Sequence, residues 1–262
     1  AAEAFSEVVT IADRGRRQDE SLEARLARYR GRVEGRGSTE EDRGADQRAR
    51  LVRMISDIAK ARFYLGERAY ERFGAIELHR FDARSRLSRA QTSWWATKLG
   101  RDEARDWQRL LRYLPLEDRR KQIAHVQFAH WAHGTFRPWV ERREKARQDA
   151  EALYVRAVAE DVPQWEIAAA ARIGDMHRAF VKTLTELPTP PAIASDDELE
   201  RQWEEEIDRA IEPHRLAAIQ AYDRCVLVAT KNRWFNEWSR SCELALARLA
   251  PRDYPLSDEL RA

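Results

Sequence analysis

The 262-residue sequence has few of the residues that interrupt helices. It holds only 10 glycines and 9 prolines, which predicts few turns and long helices. No apolar run is long enough for a transmembrane helix, so we expect no membrane span, and no signal peptide is recognisable. The chain begins at Ala1 rather than Met, which we interpret as a mature form or an excised part of a longer protein. The missing signal peptide therefore does not exclude export.

Compact enzyme motifs are also missing from the sequence. It has no Gly-rich phosphate loop, no nucleophile elbow and no Cys–His arrangement of known spacing. Glu204, Glu205, Glu206 and Asp208 are close together, but neighbouring carboxylates on a helix point in different directions, so we interpret them as a solvated face. We therefore expect a protein that is not an enzyme and needs no cofactor.

Positive and negative charges are nearly balanced. The 47 basic residues are balanced by 45 acidic residues, and all but six of the basic residues are arginine. Because the signs are interspersed, no strong field attracts nucleic acid or a membrane surface, and we interpret the arginine excess as compositional bias. A cytoplasmic Arg-rich regulatory or nucleic-acid-binding adaptor remains the alternative function.

Cysteine is scarce, with two residues, Cys225 and Cys242, which set no disulfide framework. A turn near Asn232 that folds two helices back on each other would bring the two cysteines within reach. A disulfide in an oxidising compartment and two free buried thiols are both open at this point.

What is present is a helical pattern. Charged residues make up 35% of the chain and hydrophobic residues 43%, which is typical of long amphipathic helices and predicts an all-α fold. Residues 1–48 form a charged, partly flexible segment in which Gly44 is the last of several helix-breaking glycines, and residues 49–262 form the helical domain. The predicted helices cover residues 51–76, 94–114, 116–132, 138–162, 164–187, 195–231 and 234–249.

Four single-residue details accompany these helices. The predicted third helix ends near Gly134, and Pro163 separates the fourth helix from the fifth. Ser195 and Glu198 form a predicted capping box. Pro213 is expected to kink or split the sixth helix.

Two stretches about 68 residues apart resemble each other. The matched pairs are Ala150 and Ala218, Tyr154 and Tyr222, Arg156 and Arg224, and Val158 and Val226, with Trp165 and Trp234 following at nearly the same spacing. A second echo relates residues 61–67 to residues 169–175. Self-similarity at a fixed spacing indicates a helical repeat protein, and such proteins mostly bind other proteins.

The echoes resemble tetratricopeptide repeats. In that family a Leu-Gly pair lies midway along the first helix, and an Ala and an aromatic residue on the second helix fill the contact. Leu65-Gly66 and Ile173-Gly174 match the first pattern, and Tyr154 and Tyr222, each preceded by an alanine four residues earlier, match the second. The resemblance implies a solenoid of long antiparallel helix pairs, in which Gly66, Tyr154, Trp165, Gly174, Tyr222, Trp234 and Trp238 are packing residues. The spacing of 68 rather than about 34 residues implies long helices or a degenerate repeat.

The stretch from Ala150 onward carries a more specific resemblance. It contains Trp165-Glu-Ile-Ala-Ala-Ala-Ala-Arg-Ile-Gly174, Pro188-Thr-Pro-Pro191, Glu212-Pro213, Ala221-Tyr222, Trp234-Phe-Asn-Glu-Trp238-Ser, Cys242 and Tyr254-Pro255. This is similar to the C-terminal region of large tetratricopeptide proteins of myxobacteria and related predatory bacteria, some of them adventurous gliding-motility envelope proteins. The resemblance implies an exported, non-enzymatic scaffold in the periplasm or cell envelope that binds other proteins, with the cytoplasm as the alternative location. It also favours the disulfide over free thiols.

Two sets of side chains are candidates for binding. Repeat arrays bind through a groove in which aromatic and arginine side chains are the usual anchors, and the arginines on the predicted first helices are Arg62, Arg68, Arg105, Arg109 and Arg172. The cluster His125, His130 and His133 offers three imidazoles to a metal, but no carboxylate stands at the spacing of a zinc protease site. We therefore predict no metal.

Overall fold

In the computed structural model the chain is described over residues 41–82, 84–190, 193–194 and 197–255, apart from the side chains of residues 41–47, 101 and 199. Within these ranges the regular structure is entirely helical and no strand occurs, which confirms the all-α prediction. The helices are α1 Glu41–Gly74, α2 Arg89–Leu99, α3 Arg101–Tyr113, α4 Leu116–Trp131, α5 Arg137–Val158, α6 Pro163–Thr185, α7 Asp197–Asn232 and α8 Glu237–Leu249.

Two of the helices begin at well-formed caps. Ahead of α2, the Ser88 hydroxyl accepts a hydrogen bond from the backbone N–H of Gln91. In return, the Gln91 side-chain oxygen accepts one from the backbone N–H of Ser88. Asn236 and Ser239 exchange the same pair of bonds at the start of α8. Each arrangement satisfies backbone donors that the first turn of a helix leaves unpaired. The predicted cap at Ser195 lies outside the described residues.

The predicted single helix over residues 94–114 is wrong, because Gly100 divides it into α2 and α3. Gly100 has a φ of 92°, a conformation that glycine adopts without the steric cost a Cβ would bring. The end of α3 agrees with the sequence, since Leu114 turns to an extended conformation directly before Pro115.

Other glycine and proline predictions also need correction. Gly44 does not break a helix but lies inside α1. Gly134 does not end α4, because Ala132–Phe136 forms a π-helical turn that leads directly into α5. Pro213 does not split α7, which is continuous through it, and the kink predicted as the other outcome stays a prediction. Residues 1–40 of the predicted flexible segment lie outside the described residues. The Pro163 boundary is confirmed, since α6 begins at that residue.

The chain divides into two compact units. The described part of the first unit comprises residues 41–74, 146–179 and 214–255, and that of the second comprises residues 75–145, without 83, and the described residues of 180–213. Among the described residues, no helix combines the length and apolar character that crossing a membrane requires.

The first unit has two buried clusters with alanine-rich faces. Tyr154 is central to one cluster, with Phe63, Phe73 and Met176, and Tyr222 is central to the other, with Ile167 and Leu246. Cys225 and Cys242 lie in the second of these clusters and are joined by a disulfide, with their Cα atoms 6.4 Å apart. The small side chains of α6, Ala168 to Ala171, are all buried, which allows neighbouring helices to approach closely.

The second unit has a core of stacked aromatic rings around Trp139. The Trp139 ring stacks on Phe136 and Phe180, with centroids 5.9 and 5.8 Å away. Its Nε1 donates to the carbonyl of Ile76 at 3.1 Å, and the Arg143 guanidinium donates to the same carbonyl at 2.7 Å. Two side-chain donors therefore satisfy the Ile76 carbonyl beside this core.

Candidate functional site

The sequence echo corresponds to a packing contact that occurs twice in the first unit. A Cβ built at Gly66 would lie 2.5 Å from Cε1 of Tyr154, and a Cβ built at Gly174 would lie 2.6 Å from Cε1 of Tyr222. Each glycine therefore admits a tyrosine ring from another helix to its backbone. We call these two arrangements the Gly–Tyr contacts.

Each buried tyrosine ends on the carboxylate that follows its partner glycine. The Tyr154 hydroxyl donates to Glu67 at 2.5 Å, and the Tyr222 hydroxyl donates to Asp175 at 2.8 Å. Burial is the main cause that raises the pKa of both phenols above the usual 10, and the adjacent carboxylate raises each further. Both hydroxyls are therefore fixed as neutral hydrogen-bond donors and do not serve as bases near neutral pH.

Glu67 also anchors a cluster of charged and aromatic side chains on α1, α6 and α8. Its two oxygens accept from Nε and Nη2 of Arg172, each at 2.8 Å. The Arg172 guanidinium lies 4.8 Å from the Tyr70 ring centroid and 4.6 Å from the Trp238 ring centroid. A planar guanidinium suits both bidentate pairing and stacking, which a lysine ammonium could not reproduce. With Asp175 and Arg178, these residues form what we call the Glu67–Arg172 cluster.

Asp175 extends the cluster along α6. One of its oxygens lies 3.5 Å from Nη1 of Arg172, and the other lies 3.3 Å from Nη2 of Arg178. Burial lowers the pKa of Arg172, but the hydrogen bonds and charge of Glu67 outweigh this and raise it. Glu67 and Asp175 thus balance two arginines on a half-buried surface. This arrangement suits recognition by shape and charge better than proton transfer.

The structure separates the five arginines proposed for a groove. The prediction for Arg62 needs correction. The Arg62 side chain is 3% exposed and the Glu160 side chain 1% exposed, and Nη1 of Arg62 lies 2.5 Å from Oε1 of Glu160. Because it is buried, Arg62 cannot line an open groove. Arg105 and Arg109 belong to the second unit and pair with acids on their own helix, Asp102 and Asp106. Of the five, Arg172 alone belongs to the Glu67–Arg172 cluster, and Arg68 is exposed on α1.

The tryptophans proposed for repeat packing differ in how far they are buried. Trp165 packs against Phe63, with centroids 5.3 Å apart, and Trp238 meets the same ring at 6.1 Å. Trp234 is 47% exposed and lies ahead of α8 rather than inside it. The prediction that both Trp234 and Trp238 are repeat-packing residues therefore needs correction for Trp234, whereas Trp238, one turn further on, packs against both buried clusters of the first unit.

The three candidate metal-binding histidines contact aromatic rings of α2. His130 and His133 lie 5.4 and 5.9 Å from the Trp94 ring, and His125 lies 5.9 Å from the Trp95 ring, by centroid distance. In the described part of the chain, no group of three or more histidine, cysteine or acidic side chains is arranged to hold a metal ion. Packing against tryptophan accounts for the spacing of the histidines.

Sequence reasoning missed Glu67, Tyr70, Asp175 and Arg178 as members of the cluster. The signal was available, because Glu67 and Tyr70 are three residues apart on α1, and Arg172, Asp175 and Arg178 follow each other at intervals of three on α6, so each set shares a helix face. Pairing of the two sets depends on the packing of α1 against α6. No family model, curated protein or solved structure matches this chain.

Proposed function

We propose that the protein is a non-enzymatic protein–protein interaction scaffold built from tetratricopeptide-like helix pairs. The single observation that carries the proposal is the repeated Gly–Tyr contact, Gly66 with Tyr154 and Gly174 with Tyr222. Repeats of helix pairs are used chiefly to present an extended binding surface. In this proposal α1 and α6 are the first helices of two successive units, and α5 and α7 are the second helices.

The binding surface in this proposal is the Glu67–Arg172 cluster and the faces of α1, α6 and α8 around it. Its aromatic rings and arginines are the residue types that most often carry binding energy. Because Arg172 is held by Glu67 and by two rings, little side-chain entropy is lost when a partner binds.

The proposed location is the periplasm or cell envelope of a bacterium, with a role in an envelope or gliding-motility assembly. The Cys225–Cys242 disulfide supports an oxidising compartment. Fractionation of the native cell tests the location. Recovery of the protein in the cytoplasmic fraction, with Cys225 and Cys242 both reduced, would rule out the proposed location.

Cross-linking followed by affinity capture from native cells tests the scaffold. The informative variant is Arg178→Glu, which reverses a charge at the exposed margin of the cluster, where the Arg178 side chain is 45% exposed. Arg209→Glu is the matched control, because Arg209 is an exposed arginine of the second unit that also pairs with an acid on its own helix, Glu206. We expect the first variant to lose a specific partner that the control retains. If both variants capture the partner equally well, the Glu67–Arg172 cluster is not the binding surface.

The ion pairs of the exposed arginines argue against the nucleic-acid alternative. Arg105, Arg109, Arg120, Arg201 and Arg209 each pair with an acidic residue three or four positions away. Such pairs leave little net positive field for a phosphate backbone. Oligonucleotide binding at low salt that falls steeply as salt is added would favour the alternative.

A further inference from the structure

The second unit contains a cavity at the junction of α4 and α5 that is independent of the proposed scaffold surface. Its volume is about 660 Å³, and its lining includes Trp94 of α2, Ala129 of α4 and Val140 of α5. This volume lies within the range of about 300–1,000 Å³ that is usual for small-molecule sites.

The π-helical turn shapes the cavity. Ala132, His133 and Phe136 belong to this five-residue turn, and all three line the cavity. A π-helical turn inside a helical stretch is rare and is frequently found at functional sites. The turn contributes Phe136 and α2 contributes Trp94, so two aromatic side chains line the cavity.

The charges around the cavity favour an anion. Arg137 and Glu141 are among its lining residues, and outside the lining Nζ of Lys98 lies 5.8 Å from the centroid of the Trp94 ring. In the described structure neither Arg137 nor Lys98 forms an ion pair. The Arg137 guanidinium is therefore available for the paired hydrogen bonds that a carboxylate accepts, and Lys98 adds a second positive charge beside the Trp94 ring.

We propose that this cavity binds a small aromatic carboxylate, with the ring between Trp94 and Phe136 and the carboxylate on Arg137. Apolar walls with a few polar groups that fix orientation are the usual composition of such a site. Glu141 repels the ligand carboxylate if the ligand binds in the reversed orientation, so Glu141 determines which way round the ligand binds. His133 lines the same wall and offers a ring nitrogen to the ligand.

Isothermal titration calorimetry with three probes of one shape tests the proposal. Naphthylacetate is the anion, naphthylethanol the neutral form and naphthylethylammonium the cation. We expect naphthylacetate to bind with a dissociation constant below about 1 mM and the cation to bind about tenfold more weakly. Failure of naphthylacetate to bind, or equal or tighter binding of the cation, would overturn the proposal.

Variants separate the site from non-specific binding. Arg137→Gln should weaken naphthylacetate about tenfold, and Glu141→Gln should strengthen it. Arg142→Gln, an exposed arginine of α5 outside the cavity, is the matched control and should bind as the wild type does. Unchanged affinity in Arg137→Gln, or an equal loss in Arg142→Gln, would show that the anion binds elsewhere.

A cavity-filling variant tests the location without removing a charge. Ala129→Phe places a ring in the space that the probe would occupy, and we expect it to abolish binding. Circular dichroism and thermal melting establish that the variant is folded before titration. Wild-type affinity in a folded Ala129→Phe protein would overturn the assignment to this cavity.

Discussion

The ring of Tyr154 occupies the space that a side chain at position 66 would need. Tyr154 is fully buried, and Gly66 is the residue that allows its ring to lie against the backbone of α1, since a Cβ there would approach Cε1 to 2.5 Å. The same relationship joins Tyr222 to Gly174. These contacts tie the sequence echo directly to packing.

Substituting Gly66 or Gly174 by alanine should destabilise the protein. The added Cβ meets the ring of a buried tyrosine, and overpacking of this kind costs about 1–3 kcal/mol or more. Gly134→Ala is the matched control, because nothing lies within 4 Å of a Cβ at that position, and it should be neutral or stabilising by up to about 1 kcal/mol. Urea unfolding measures all three. Equal effects at positions 66 and 134 would contradict the packing argument.

The free energy of unfolding should fall steeply in alkali. The pKa values of Tyr154 and Tyr222 are raised in the folded state, chiefly by burial, so above about pH 10 the unfolded chain loses protons that the folded chain keeps. Unfolding then releases protons, and stability falls by up to about 1.4 kcal/mol per pH unit for each tyrosine. Urea unfolding between about pH 9 and 11 compares this slope in the wild type and in a Tyr154→Phe/Tyr222→Phe variant. A slope that does not become shallower in the variant rules the tyrosines out as its cause.

Reducing the disulfide should destabilise the first unit. Cys225 and Cys242 are separated by 17 residues, and a loop of this length corresponds to about 3 kcal/mol in the chain-entropy model. The measurement is denaturant unfolding with and without a reductant. The Cys225→Ala/Cys242→Ala variant should be as unstable as the reduced protein and should not respond to the reductant. A response in that variant would mean that the reductant acts elsewhere.

Breaking the Arg62–Glu160 ion pair from one side should be among the most damaging single changes. Both side chains are buried, so Glu160→Gln removes the negative charge of a buried ion pair, at a cost of about 3–5 kcal/mol. Glu186→Gln removes an exposed partner of Lys182 and should change the free energy of unfolding by no more than about 0.5 kcal/mol. Similar losses in both variants would show that burial of the pair contributes little.

Local physical chemistry made part of the fold predictable. Pro163 marks the start of α6 and Leu114 the end of α3, because proline restricts the backbone around it. Glycine was less informative, since Gly100 breaks a helix whereas Gly44 and Gly134 do not. The sequence pattern does not tell a glycine that needs a positive φ from one in helical conformation.

The candidate sites are formed by residues that are far apart in the sequence. Arg172 and Glu67 are 105 residues apart, and Arg62 lies 94 residues from Arg156, whose carbonyl it contacts. Hydrophobic periodicity records which face of each helix is buried but does not record which helix covers it. For that reason Arg62 looked like a surface residue, and the cavity beside Trp94 had no signal in the sequence.

The sequence by itself determined the helical character of the chain, because helix periodicity follows from local spacing. The echo between two stretches of the sequence singled out the residues of both Gly–Tyr contacts, but not which glycine meets which tyrosine. The tertiary structure alone decided which arginines are buried, which carboxylates hold them and where the π-helical turn opens a cavity. These outcomes depend on helix packing, in which each side chain is placed by neighbours that are distant in the chain.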